Sequence, residues 1–135
     1  MNNPKAIKTF LVLSSIIGIF IGAGLLFSPV QFHAGSQIIL GDNVNLFSET
    51  RAGGAGILFS ALLMLAGIFK ESWKFTSLLL SCLLYLSYGL GRLFSVIIDG
   101  MPSEILIISL IIELFMGFLA LTFLGRMKAR KAALT

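Results

Sequence analysis

Four long apolar stretches, separated by polar or turn-forming segments, dominate the sequence. Crossing the hydrocarbon core of a bilayer takes about 20 mostly apolar residues in a helix, and each stretch is close to that length. No segment alternates polar and apolar residues as a strand of a membrane barrel would. We therefore predict an all-α integral membrane protein, a four-helix bundle that forms one domain over residues 1–135, with spans at about 9–27, 51–69, 75–98 and 103–124.

Turn signals at the ends of the apolar stretches support these limits. Pro29 follows the first stretch, and the run from Asp99 to Pro102 follows the third, as expected at helix ends. Residues 28–48 are predicted to form a long loop on the outer side. Lys5 and Lys8 precede the first stretch as in a signal peptide, but its apolar run exceeds the roughly 7–15 residues typical of one. We therefore interpret it as a retained helix.

The composition agrees with a membrane protein. Hydrophobic residues make up 57% of the chain and charged residues 12%, and the mean hydropathy is +1.00. In a soluble domain about a quarter of the residues are charged, and a small domain keeps much of its surface in water. These values exclude an ordinary soluble enzyme, a disordered chain and a disulfide scaffold. Cys82, the single cysteine, has no partner for a disulfide within the chain.

Basic residues set the predicted orientation. The formal net charge is +4, and most of the basic residues lie at the N-terminus, in the segment after the second span and in the C-terminal tail. An even number of spans places these segments on one side, and the positive-inside rule makes that side cytoplasmic. We therefore predict an N-in/C-in protein of a bacterial inner membrane with both termini cytoplasmic, and no nucleic-acid partner. The residues are Lys5, Lys8, Lys70, Lys74, Arg126, Lys128, Arg130 and Lys131.

Small residues predict how the helices pack. Helices in lipid associate through close packing of small residues and a few polar contacts. Gly18 and Gly22 form a GxxxG pair on the first span, and residues 52–56 give the second span a very small surface. We predict that these faces pack within the chain, with a seam between copies in a homo-oligomer as the alternative.

The third span carries six polar residues at alternating spacings of four and three, which form one stripe along a helix. Because an ionisable side chain that faces lipid is costly, we expect the stripe to face the bundle interior or a hydrated cavity. The stripe consists of Ser81, Tyr85, Tyr88, Arg92, Ser95 and Asp99.

The depths of two charges predict an ion pair. The rise of an α-helix places Arg92 about 27 Å from Lys74, at the outer interface of a core about 30 Å thick. Glu113 lies about 20 Å from Arg126 on the same scale, inside the hydrocarbon, where a carboxyl group is either protonated or paired with a cation. The third and fourth spans are joined by a short turn and must be neighbours. We therefore predict an Arg92–Glu113 pair, direct or bridged by water.

These charges and their polar neighbours form one candidate cluster in the outer half, with a binding or a structural role. It comprises Glu49, Arg51, Tyr85, Tyr88, Arg92, Ser95, Asp99, Glu104 and Glu113. The acids at its outer mouth are expected to share the two arginines. The pattern indicates no catalytic residue, cofactor or metal ligand, and His33, the single histidine, is interpreted as a solvated loop residue.

Three elements of the sequence resemble a known family. They are Ser48-Glu49-Thr50-Arg51-Ala52-Gly53-Gly54, Gly91-Arg92-x-x-Ser95-x-x-x-Asp99-Gly100-x-Pro102, and Glu113 in the last span. From about Phe10 to Leu124 the chain resembles small bacterial four-span membrane proteins described as domain of unknown function 4345. The resemblance implies the four-helix topology but no activity, cofactor or partner. It also implies recurring polar positions at Glu49, Arg51, Gly91, Arg92, Asp99 and Glu113.

Three roles are compatible with these features. The first, which we favour, is a small accessory or interaction protein of a membrane assembly, whose Arg/Glu/Asp cluster is a structural clamp that fixes helix register. The second is a binder, or an enzyme, for a lipid, a fatty acid or a quinone-like amphiphile at the outer leaflet. The third is proton-coupled transport by an oligomer, with Glu113 titrating. A non-enzyme is favoured over an enzyme. The expected partners are the bilayer, a membrane protein or second copy, and a lipid-like ligand in the second role.

Overall fold

The structure is a computed structural model that describes residues 4–132. Residues 1–3 and 133–135 of the predicted domain, and the side chains of Arg130 and Lys131, lie outside the described part. Within that part the chain is all-α, as predicted. The helices are α1 (Pro4–Phe27), α2 (Pro29–Ala34), α3 (Val44–Phe69), α4 (Lys74–Asp99) and α5 (Glu104–Ala132), and one 3-10 turn (Glu71–Trp73) joins α3 to α4.

Four of these helices are long and apolar enough to cross a membrane. The qualifying segments are Lys5–Phe27, Val44–Phe69, Glu71–Asp99 and Glu104–Ala129. They correspond to the four predicted spans, so the chain forms a four-helix, multi-pass membrane protein.

The predicted loop at 28–48 is partly helical. Pro29 is the first residue of α2, a position at which the missing N–H of proline has no helical partner to lose. Helix α3 starts at Val44, several residues before the predicted span. The side-chain oxygen of Asn43 caps it, accepting from the backbone N–H groups of Asn45 and Leu46 at 3.1 and 3.2 Å. This cap extends the helix through polar residues, which an apolar pattern does not reveal.

Helices α1 and α3 pack tightly as an antiparallel pair. A Cβ atom added at Gly18 would lie 2.7 Å from the Cβ of Ala61, and one added at Gly22 would lie 2.5 Å from the backbone nitrogen of Leu58. Only glycine permits this approach of the two backbones. The predicted GxxxG pair therefore packs within the chain.

Helices α4 and α5 form the second antiparallel pair. Gly89 lies against Leu114, and Gly117 lies against Leu86. Helix α1 closes the core against this pair, with the rings of Phe10 and Phe123 5.5 Å apart. The buried core cluster consists of Ile7, Phe10, Leu11, Leu78, Cys82, Tyr85, Met116, Ala120 and Leu124.

Helix α4 is packed against its neighbours more closely at one end of the bundle than at the other. We call the half with the chain ends and the α3–α4 turn the terminal half, and the half with α2 and the α4–α5 turn the distal half. The core cluster lies in the terminal half, where α1, α4 and α5 meet. In the distal half α4 has no buried residue after Gly89. The last ten residues of α4 therefore leave much of their surface uncovered by the other helices.

Candidate functional site

An ion pair between α4 and α5 is the centre of the candidate site. Nε of Arg92 donates to both carboxylate oxygens of Glu113, at 2.9 and 3.1 Å. The side chain of Glu113 is 13% exposed, and that of Arg92 is 33% exposed. The predicted pair is therefore present, and it is direct.

Close packing of the two helices places this pair. Gly89, one turn before Arg92, lets the side chain of Leu114 approach α4, and Leu114 is the neighbour of Glu113. The guanidinium then supplies the positive charge that a carboxylate needs in a low-dielectric setting. A buried ion pair contributes little net stability, but removing one of its partners is costly because the other charge is left without a counter-charge.

Most of the hydrogen-bond donors of Arg92 have no partner among the described residues. A guanidinium carries five N–H groups, and within residues 4–132 only the one on Nε has a partner. The N–H groups of the two terminal nitrogens have none in that part of the chain. Such a planar set of donors matches the oxygens of a carboxylate or a phosphate.

These donors border an open groove on the surface of α4, which we call the α4 groove. It is lined by Ser87, Tyr88, Gly91, Arg92 and Ser95 and has a volume of about 360 Å³. Gly91 contributes no side chain, and a Cβ atom added there would have no neighbour within 4 Å. Four of the five lining residues carry a polar group, whereas most of the lining surface is apolar. The helix is long and apolar enough to cross a membrane.

A second polar pair lies one turn further along α4. The hydroxyl of Ser95 donates to Oδ2 of Asp99 at 2.8 Å, and both residues are exposed. Among the described residues Asp99 takes part in no ion pair. Within the described part of the chain, a carboxylate without a cation therefore lies one helical turn beyond Ser95, the last lining residue of the groove.

The predicted polar stripe divides between two environments. Ser81 and Tyr85 are buried, and their hydroxyls donate to Oγ and to the backbone carbonyl of Ser14, at 3.1 and 3.2 Å. Tyr88 and Ser95 are exposed in the groove. The expected interior stripe thus covers only part of α4, because the contacts of α4 with α1 lie in the terminal half.

Arg51 binds the end of α1 and does not line the α4 groove. Its guanidinium donates to the carbonyl of Leu26 in the last turn of α1, where carbonyls lack helical donors, and lies 6.0 Å from the centre of the Phe47 ring. Glu49 and Glu104 are exposed and form no ion pair with any described residue. The expectation that the acids share both arginines is therefore wrong, because a helix end competes for Arg51.

Buried hydroxyls in the terminal half join the helices, and we call them the serine seam: Ser14, Ser77 and Ser81. Only Ser81 belongs to the predicted polar stripe. The hydroxyl of Ser77 donates to the carbonyl of Leu63 at 3.3 Å, so the seam ties α4 to α3 as well as to α1. Ser15 is also buried, but its hydroxyl has no partner in the described part of the chain. The spacing of four between Ser14 and Gly18 is the signal that places Ser14 on the packing face of α1.

His33 lies in α2 rather than in a solvated loop. The residue is half-buried, and its ring contacts that of Phe32 edge-on at 6.4 Å. Burial lowers the pKa of His33 below its ordinary value, so the ring is neutral at neutral pH. Among the residues that the structure describes, no group of three His, Cys, Asp or Glu side chains could hold a metal ion.

The bundle and its ion pair define the class of protein: a small, all-α, multi-pass membrane protein with an open groove beside an arginine on one of its four long helices. The chain belongs to the family described as Domain of unknown function (DUF4345), whose model matches residues 6–124. The resemblance drawn from the sequence is therefore confirmed. No curated protein and no solved structure matches the chain.

Proposed function

We propose that this protein binds the polar head of a lipid-like amphiphile in the α4 groove. The observation that carries the proposal is the set of terminal N–H groups of Arg92, which border the groove and have no partner among the described residues. A clamp between α4 and α5 needs only the contact that Nε already makes. A hydrogen bond that involves a charged group contributes about 1.5–3 kcal/mol. A head with acceptor oxygens would gain such bonds from the terminal nitrogens of Arg92.

The surface beside the groove suits the tail of such a ligand. Leu79 and Leu83 are exposed and precede Ser87 at successive spacings of four. They therefore continue the Ser87 edge of the groove toward the terminal half. The rise of the helix places Arg92 about 27 Å from Lys74, near one face of a hydrocarbon core about 30 Å thick. A head at Arg92 would therefore lie at the level of the lipid heads, with its tail among the acyl chains.

The basic residues support an orientation for this site. Lys8, Lys70, Lys74 and Arg126 lie in the terminal half, and the positive-inside rule assigns such an end to the cytoplasm. In this proposal both termini are cytoplasmic, the α4 groove opens to the outer leaflet, and the membrane is a bacterial inner membrane.

An accessory or interaction role in a membrane assembly is the second candidate. Ser87, Gly91 and Ser95 are exposed at successive spacings of four, and small residues in this pattern form helix–helix contacts in membranes. In that role a helix of another protein, or of a second copy, occupies the α4 groove. The Arg92–Glu113 pair then serves only to fix register.

Two matched glycine variants test the amphiphile proposal. Gly91→Leu fills the groove without a clash, and Gly125→Leu adds the same side chain on α5, also at a position where a Cβ atom has no neighbour within 4 Å. The full chain is extracted in mild detergent, and bound amphiphiles are counted by native mass spectrometry.

We expect wild type and Gly125→Leu to retain the amphiphile and Gly91→Leu to lose about tenfold or more, the factor for a lost charge-assisted hydrogen bond. Equal retention by all three proteins overturns the amphiphile proposal. Loss of a dimer or of a copurifying membrane protein from Gly91→Leu, with no amphiphile in wild type, overturns it in favour of the second candidate.

A further inference from the structure

A cation and an anion lie on the same side of α4, the cation at the α4 groove and the anion just beyond it. Ser95 follows Arg92 by three residues, an axial rise of about 4.5 Å, and its hydroxyl contacts the carboxylate of Asp99 at 2.8 Å. Arg92 and Asp99 are seven residues apart, so they lie on the same side of the helix. Both side chains lean toward the N-terminus of α4, so the two charged groups are separated by about two helical turns, about 10.5 Å, along the axis.

The charge balance of the distal half disfavours a purely anionic ligand. Glu113 already neutralises Arg92 within the ion pair. The distal half further contains more acids than arginines, so an anionic head would add to an existing negative excess and be repelled. A head that carries both charges satisfies Arg92 without adding net charge. The acids are Asp42, Glu49, Asp99, Glu104 and Glu113, against Arg51 and Arg92.

We infer that the α4 groove binds a zwitterionic phospholipid whose head ends in a primary ammonium group. This inference rests on the proposed function. The phosphate oxygens accept hydrogen bonds from the terminal nitrogens of Arg92. The ammonium group donates to Asp99, whose Oδ1 has no donor among the described residues.

Asp99 also discriminates between two kinds of zwitterionic head. A primary ammonium carries three N–H donors, whereas the quaternary ammonium of choline carries none. The two protein groups are about 10.5 Å apart along the axis, a span that an extended ethanolamine phosphate covers together with one hydrogen bond of about 2.9 Å at each end. The carboxylate therefore selects ethanolamine over choline, and its charge selects ethanolamine over glycerol.

Headgroup selectivity tests this inference. The full-length protein is delipidated in detergent and titrated with three synthetic phospholipids that share their acyl chains and carry ethanolamine, choline or glycerol heads. Bound fractions are measured by native mass spectrometry.

Two variants test the role of the carboxylate. Asp99→Asn removes the charge but keeps an oxygen acceptor for Ser95, and Asp42→Asn removes the same charge from the exposed segment between α2 and α3. Wild type and Asp42→Asn should bind the ethanolamine lipid about threefold to fivefold more tightly than the choline lipid, as for a partly exposed ion pair. Asp99→Asn should bind the two equally.

The failure of the inference and the failure of the proposed function give different results. If wild type binds none of the three lipids above the level of Gly91→Leu, both fail. If wild type binds all three above that level but shows no preference, or prefers the glycerol head, the inference alone fails. It also fails if Asp99→Asn keeps the preference for ethanolamine.

Discussion

Removing one partner of the Arg92–Glu113 pair should destabilise the protein more than the loss of a single hydrogen bond. Arg92→Met keeps most of the apolar stem but leaves the Glu113 carboxylate, only 13% exposed, without its cation. Breaking a fully buried pair from one side costs about 3–5 kcal/mol. Because the Arg92 side chain is 33% exposed, water screens part of this effect, and we expect a loss of about 2–3 kcal/mol.

A double-mutant cycle isolates the contribution of the pair. Glu113→Gln keeps the shape of the side chain and one acceptor oxygen, so we expect it to cost about 1–2 kcal/mol. In the double variant no charge remains unpaired. Its loss should therefore be smaller than the sum of the two single losses by about 1–2 kcal/mol.

Reversible unfolding in mixed micelles with increasing sodium dodecyl sulfate, followed by circular dichroism, gives these free energies. The control is the same cycle on Lys74 and Glu71, an ion pair in which the Glu71 side chain is 83% exposed. Its coupling should stay below about 0.5 kcal/mol. A coupling between Arg92 and Glu113 no larger than that of the control would refute the reasoning, since a half-buried pair must interact more strongly than an exposed one.

Three further predictions use the same unfolding assay. Gly22→Ala should lower the free energy of unfolding by about 1–3 kcal/mol, because its Cβ would lie 2.5 Å from the α3 backbone. Gly56→Ala has open space and should not destabilise, so the reverse order would contradict the α1–α3 packing. Ser14→Ala should cost about 1 kcal/mol through its lost hydrogen bond, and Ser15→Ala should cost less because its hydroxyl has no described partner; equal losses would argue against the serine seam. Burial lowers the pKa of His33, so the fold favours the neutral ring and stability should fall as the pH drops below about 6.5; an unchanged pH profile in His33→Gln would exclude this cause.

The helices that cross the membrane are predictable because their length and their end signals are local properties. Pro29 and the run from Asp99 to Pro102 mark helix ends by backbone chemistry alone. The start of α3 is harder to predict from the sequence, because it depends on the side chain of Asn43. That side chain accepts hydrogen bonds from two particular backbone N–H groups. An apolar pattern predicts the part of a helix that lies in the hydrocarbon core. It does not predict the polar turns that extend the helix beyond that part.

The candidate site is predictable only in part for a related reason. Arg92 and Glu113 could be paired from sequence because a short turn makes α4 and α5 neighbours and the helical rise sets their depths. The partner of Arg51 depends on where the end of α1 lies beside α3, which no spacing within α3 encodes. The openness of the α4 groove likewise depends on how far α4 is covered by the other helices in the distal half. That is a property of the assembled bundle.

Contact between Arg92 and a lipid phosphate can be measured directly. The chain is labelled with nitrogen-15 arginine and placed in bilayers of an ethanolamine phospholipid, with Arg51, Arg126 and Arg130 replaced by Lys so that Arg92 gives the only guanidinium signal. Solid-state NMR then measures the dipolar coupling between its terminal nitrogens and lipid phosphorus. A hydrogen-bonded phosphate predicts a nitrogen–phosphorus distance of about 4 Å and loss of the coupling in Gly91→Leu. Resolved Arg92 signals with no coupling to phosphorus would contradict phospholipid binding in the α4 groove.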